Sequence, residues 1–188
     1  MARPADPERR ARMLAAAADY VLEHGLAGLS LRPLASALGT STRMLLYDFS
    51  SKEELIMAVL TEIRRREAAM LAGHAGAAGA SGPELVQAVW DWASSAERGP
   101  FMRLFFEVYI DAAAHSGTYS QLGQAMVTEW LDQFGTALAG SPADAADAAS
   151  ATLVIAVLRG LLLDRLSTGD AERTDRALEL FARLIAGR

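Results

Sequence analysis

The chain has 188 residues, a net charge of −5, 52% hydrophobic residues and a mean hydropathy of +0.15. These values exclude a disordered chain, and the absence of cysteine excludes a disulfide framework or a thiolate metal site. Residues 1–12 are polar and arginine-bearing, unlike a secretory signal, and the longest apolar run, 148–163, is interrupted by Arg159 and too short to span a bilayer. A cytoplasmic protein with no membrane partner is expected.

The charge is unevenly spread. Residues 1–52 hold seven Arg and Lys against five Asp and Glu, a net of +2, and the remainder carries −7. A cationic head on an anionic body suits a molecule that presents one end to phosphates.

Apolar residues recur every three or four positions almost throughout, and no alternating strand pattern persists, so an all-α fold of about nine helices is expected. The first helix spans about 7–24, with Met13, Leu14, Ala17, Ala18, Val21 and Leu22 inward and Gly25 as its stop. Ser30 caps a short second helix that turns Leu31, Leu34, Ala35 and Leu38 inward; Pro33 is tolerated in its first turn. Gly39 ends that helix, and Ser41 caps a third, 42 to about 47, followed by a turn at Phe49 and Ser50. Ser51 and Glu54 form a capping box for a fourth helix, 52 to about 72. Residues 73–82 are rich in Ala and Gly and read as a linker. Ser81 with Glu84 opens a helix through Trp92, and Gly99-Pro100 interrupts the chain before an apolar helix over 100–115. Thr118 with Gln121 opens a helix to about residue 139. Two more helices follow, 142 to about 166 and 173 to about 186, separated by Gly169-Asp170.

Residues 25–55 carry the clearest signal. Two short capped helices are joined by Leu38-Gly39-Thr40-Ser41, the glycine-containing turn of a helix-turn-helix unit. The N-terminal end of the second helix of such a unit enters the major groove, where Thr42 and Arg43 can reach base edges. The start of the next helix, Ser51-Lys52, offers free amides, a positive dipole end and an ammonium group to a phosphate.

Gly25, Ser30, Leu31, Leu34-Ala35, Leu38-Gly39-Thr40-Ser41, Leu45, Phe49 and Ser51-Lys52-Glu53-Glu54-Leu55 resemble the DNA-binding head of TetR-family regulators, without a gap from 25 to 55. The resemblance implies a DNA-binding domain over 1–52 and a ligand-binding and dimerisation domain over 53–188. It implies double-stranded DNA contacts by Ser30, Arg32, Thr40, Ser41, Thr42, Arg43, Leu46, Tyr47 and Lys52. Two positions depart from the family's pattern: Leu46 stands where tyrosine is usual, and Asp48 where His or Tyr is frequent. Leu46 is then expected to touch a thymine methyl or sugar and Tyr47 a phosphate. Asp48 is expected to be neutralised by Lys52 or Arg43.

In the helix from 142, small residues recur at four-residue spacing, Ala148, Thr152, Ala156 and Gly160, beside an apolar remainder. A helix apolar nearly all round must be covered on both sides. The resemblance implies that it pairs, together with Leu178, Phe181 and Ile185 of the last helix, with the same helices of a second copy, making a homodimer.

Most aromatic residues fall between 86 and 134. Trp90, Met102, Phe105, Phe106, Tyr109, Tyr119, Met126 and Trp130 are either ordinary core or the lining of an apolar pocket for a small-molecule effector, as the resemblance implies. His24, His74 and His115 are scattered, and no HExxH, P-loop, GxSxG or dinucleotide fingerprint is present. No enzyme activity, metal or cofactor is expected. The reading is a repressor released from a palindromic operator by a small apolar or aromatic ligand. The alternatives are a ligand-independent dimeric DNA-binding protein and a helical interaction module with a degenerate head.

Overall fold

The computed structural model describes residues 7–78, 83–114 and 145–186, together with Gln124, Ala125 and Thr128; for 71–78 and 145–148 it describes the backbone alone. Among these residues there is no strand. The described residues form eight helices: α1 (Pro7–His24), α2 (Leu31–Ala37), α3 (Thr42–Phe49), α4 (Lys52–Ala78), α5 (Pro83–Ser94), α6 (Gly99–Ala114), α7 (Ala145–Thr168) and α8 (Ala171–Ala186), with a 3-10 turn at Ala96–Arg98 before α6. The helix expected over 118–139 lies outside the described residues, except that Gln124, Ala125 and Thr128 are helical.

The chain divides into two compact units, Met1–Met70 and Leu71–Arg188, with the division inside α4. In the first unit, glycine at positive φ punctuates the helices. Gly25 (φ 75°) follows α1, its amide donating to the Val21 carbonyl at 2.8 Å, and Gly39 (φ 64°) makes the turn between α2 and α3. A Cβ at Gly39 meets nothing within 4 Å, so backbone conformation and not space selects glycine there. Ala17, Ala18, Val21, Leu34, Leu45, Phe49, Leu55, Val59 and Ile63 are buried, fixing the inward faces of α1 to α4.

Two expectations are corrected. Ser30 occupies the N-cap position of α2, but its side chain makes no capping hydrogen bond; extended backbone alone starts that helix. The 73–82 linker is shorter than its glycines suggest, because α4 runs on to Ala78. Alanine is the best helix former, and the four alanines among residues 72–78 outweigh two glycines.

Between α3 and α4 the chain reverses through Ser50 at φ 58°, ψ −41°, with the Ser51 amide 2.5 Å from the Phe49 carbonyl. This γ-type turn is costly for a residue bearing a Cβ. A Ser50→Gly variant is expected to be more stable by about 1 kcal/mol, relief of strain exceeding the added chain entropy. Thermal denaturation should show a midpoint about 2–4 °C higher; an unchanged or lower midpoint contradicts the strain.

Charged groups tie α4 to α1. Glu62 accepts from Arg65 Nε at 2.9 Å and Arg66 Nε at 2.8 Å, and Arg66 Nη1 reaches Asp19 of α1 at 2.8 Å. Hydrogen bonds from Arg65 and then Arg66 hold the Glu62 carboxyl down at about 2, against an ordinary 4.5. A depressed carboxylate stabilises the fold above its unfolded pKa and loses that contribution as pH falls through the folded one. Between pH 4.5 and 2 a Glu62→Gln variant should therefore lose about 1 kcal/mol less than the wild type, Arg65 being largely exposed to solvent. Urea midpoints at pH 6, 4 and 3 measure the difference, and parallel pH profiles refute it.

The second unit packs α5, α6, α7 and α8 about one core that includes Leu85, Val86, Val89, Trp90, Met102, Phe105, Val154, Leu158, Leu162 and Leu178. Asp175 of α8 pins three helices together: it accepts from Trp90 Nε1 of α5 at 2.7 Å and from Arg165 Nη1 of α7 at 2.7 Å. Arg165 also lies 5.6 Å from the Trp90 ring centroid, so the buried indole has both its polar edge and its face partnered. Gly169 (φ 72°) separates α7 from α8. Arg173 then grips Asp164 with two bonds of 2.6 Å, closing the α7–α8 hairpin.

Candidate nucleic-acid interface

The first unit presents α3 as a short helix with a divided surface. Ser41 Oγ accepts the Met44 amide at 3.2 Å and sets the first turn. Leu45 and Phe49, four residues apart, are buried and hold α3 down. Arg43, Met44, Leu46 and Tyr47 are thereby turned outward; Tyr47 is 56% exposed, although apolar and aromatic groups ordinarily seek cover. No described residue holds the Arg43 guanidinium in a hydrogen bond or ion pair. An exposed helical face carrying an arginine, a tyrosine and two apolar side chains has the means to read base edges and thymine methyls.

The other predicted contacts surround this face in sequence. Thr42, Thr40 and Lys52 are half-buried, while Ser30, Arg32 and Ser41 are exposed. Ser51 Oγ accepts the Glu54 amide at 3.0 Å and caps α4 beside Lys52. Met44 was not singled out from the sequence. The inward phase set by Leu45 and Phe49 could have found it, since the residue preceding an inward leucine on a short helix must point away.

Asp48 is corrected. Its carboxylate pairs with neither Lys52 nor Arg43 but with Arg9 of α1, at 2.5 Å, and its side chain is only 2% exposed. Arg10 Nε donates to the Asp48 carbonyl at 3.2 Å and stacks 4.6 Å over the Phe49 ring. The acid is thus turned into the head, where it locks α1 to the end of α3. Arg9 and Arg10 are committed to this lock.

In the second unit, four of the predicted pocket residues sit in the packed core: Trp90, Met102, Phe105 and Phe106 are each at most 6% exposed. The Trp90 N–H is already committed to Asp175. Tyr109 is half-buried and stacks on Phe105, ring centroids 6.0 Å apart and 9° from parallel. Tyr119, Met126 and Trp130 lie outside the described residues. Of the predicted subunit contacts, Thr152, Ala156 and Gly160 are exposed; the side chain of Ala148 lies outside the described set. Leu178 cannot serve there, being fully buried in its own core, and Phe181 and Ile185 pack partly against that core. The outward large apolar residues of α8 are Leu184, which the sequence also offered, and Leu180, 65% and 53% exposed.

These features define a helix-turn-helix DNA-binding regulator. Residues 13–59 match the family model described as bacterial regulatory proteins, tetR family. The fold is similar to that of a TetR-family transcriptional regulator from Cytophaga hutchinsonii, with a TM-score of 0.81 at 18% identity, covering 98% of each chain. It is also similar to the multidrug binding protein EbrR complexed with imidazole, with a TM-score of 0.68 at 28% identity, covering 96% of this chain and 91% of that one. EbrR complexed with proflavin aligns with a TM-score of 0.67 at 26% identity, covering 94% of this chain and 99% of that one. No curated protein matches. Residues 13–59 are thus similar to the DNA-binding head of the TetR family, and the whole described chain shares the fold of TetR-family regulators. Among the described residues, no helix is long and apolar enough to cross a membrane.

Proposed function

We propose that this protein is a cytoplasmic homodimeric repressor that leaves a palindromic operator when a small apolar or aromatic molecule binds its second unit. The observation that carries the DNA half of this reading is the outward face of α3, where Arg43, Leu46 and Tyr47 project beyond a buried Leu45 and Phe49. One such helix spans only a few base pairs, so two heads about 34 Å apart are needed for useful specificity. The surface for a second copy is the exposed stripe Thr152, Leu153, Ala156, Gly160 and Leu163 on α7, with Leu180 and Leu184 on α8. Gly160 has open space where a Cβ would stand, room for a close helix approach.

Ligand responsiveness is supported by the likeness to EbrR, a multidrug binding protein. Residues 52–70 of α4 belong to the first unit and residues 71–78 to the second, so a shift in the ligand-bearing unit has a continuous helix by which to reach the head. An effector need favour the released arrangement by only a few kcal/mol to change occupancy. A ligand-independent regulator is the reading favoured by the tight packing of Trp90, Met102, Phe105 and Phe106.

Selection from random-sequence DNA at stated salt tests the DNA half. A recovered palindrome with half-sites about one turn apart supports it, and no enrichment by folded dimer refutes it. A compound screen for release of that site then separates the responsive reading from the ligand-independent one.

A further inference from the structure

Arg159 interrupts the otherwise apolar middle of α7. Its guanidinium lies 5.1 Å from the Tyr109 ring centroid and 5.9 Å from that of Phe105, against the parallel pair that these rings form on α6. Its Nε and Nη2 are shut off from solvent and have no hydrogen-bond partner. Tyr109 is the polar group that favours the charged guanidinium there. Burial pulls the arginine below its ordinary pKa, and Tyr109 offsets this only in part. Three other arginines that bridge helices hold a carboxylate, Arg9 with Asp48, Arg66 with Glu62 and Asp19, and Arg165 with Asp175, and Arg10 has the Asp48 carbonyl. Arg159 has no carboxylate among the described residues.

A half-buried cation with two solvent-shielded, idle donors is costly unless an anion completes it. Nε–H and one Nη2–H point the same way along one edge of the guanidinium plane, at the spacing of the two oxygens of a carboxylate. The surroundings select the rest of the ligand. Phe105 and Tyr109 offer flat apolar faces, and Val154, Ile155, Leu158 and Leu162 of α7 belong to the same core. A single guanidinium suits one negative charge better than a phosphate dianion. It also disfavours aromatic cations. Arg159 is half-buried overall.

We propose that Arg159 is the anion anchor of the effector site, taking the carboxylate of an apolar or aromatic acid on its Nε–Nη2 edge while Phe105 and Tyr109 cover the apolar body. This inference rests on the effector-responsive reading and narrows its ligand from apolar or aromatic compounds to their acids.

The test uses the full chain, thermal denaturation and titration calorimetry, with four probes: 2-naphthoate, decanoate, the neutral 2-naphthamide and the aromatic cation proflavin. At least one carboxylate is expected to raise the wild-type midpoint, and naphthoate to bind about tenfold to hundredfold tighter than naphthamide. Arg159→Met should abolish that preference, and Arg159→Lys, which keeps the charge but not the fork, should retain part of it. Unliganded Arg159→Met should be at least as stable as wild type, since it removes an uncompensated cation, so lost binding will not reflect unfolding. Equal binding of naphthoate and naphthamide, an acid preference that survives Arg159→Met, or no response to either carboxylate overturns the anchor. Should the operator-release screen yield an effector indifferent to Arg159→Met, the anchor falls and the responsive reading stands. Should it yield none, both fall.

Discussion

Replacing Arg9 by alanine is expected to cost the head about 3 kcal/mol, more than replacing its partner Asp48. The asymmetry follows from burial. The Asp48 side chain is 2% exposed and that of Arg9 is 30% exposed. One carboxylate oxygen of Asp48, Oδ2, is already buried with no partner, so removing Arg9 strands the whole group and leaves it to find a proton or to draw water inward. Removing Asp48 instead leaves an arginine that can rehydrate, and Arg10 keeps its bond to the Asp48 carbonyl and its place over Phe49. Asp48→Ala should therefore cost roughly 1–2 kcal/mol. The double variant should recover part of the Arg9→Ala loss. Urea unfolding of the four proteins gives the cycle directly. Equal single losses, or a larger loss for Asp48→Ala, would show that the carboxylate is not the dependent member of the pair.

This pair also marks where sequence reading stops. The helix-turn-helix unit was legible because its signals are local: Ser41 three residues before the amide it caps, Gly39 at a positive φ, Leu45 and Phe49 one turn apart. Asp48 drew attention because a carboxylate beside phosphate is unfavourable, but the sequence offered only nearby cations. Its true partner stands 39 positions earlier, and only the packing of α1 brings it in. Ser50 lacks the glycine that would have announced its conformation. In α8 the periodicity admits two apolar faces. Leu178, Phe181 and Ile185 form one, Leu180 and Leu184 the other, and the core takes the first because α5 and α7 lie there. Arg159 read as an interruption in an apolar run. Its meaning depends on Tyr109, fifty residues away in sequence.

Arg43→Ala is expected to weaken binding to the selected operator by about 1–3 kcal/mol while leaving the unfolding midpoint unchanged. Arg43 is exposed at the second position of α3 and engages no described residue, so its removal takes nothing from the fold. Its forked donors match the O6 and N7 edge of guanine, and losing them should relax the preference at one base position in each half-site. Lys52 supplies the contrast. It stands at the start of α4 as a point charge, and Lys52→Ala should weaken specific and non-specific DNA alike, flattening the salt dependence by about one phosphate contact per head. Affinities of both variants for the operator, for single-base mismatches and for random duplex, over a salt series, distinguish base reading from charge. If Arg43→Ala loses equally on every duplex, Arg43 is a phosphate contact. The base-reading role would then pass to the other outward residues of α3, Met44, Leu46 and Tyr47, whose chemistry favours thymine-rich half-sites.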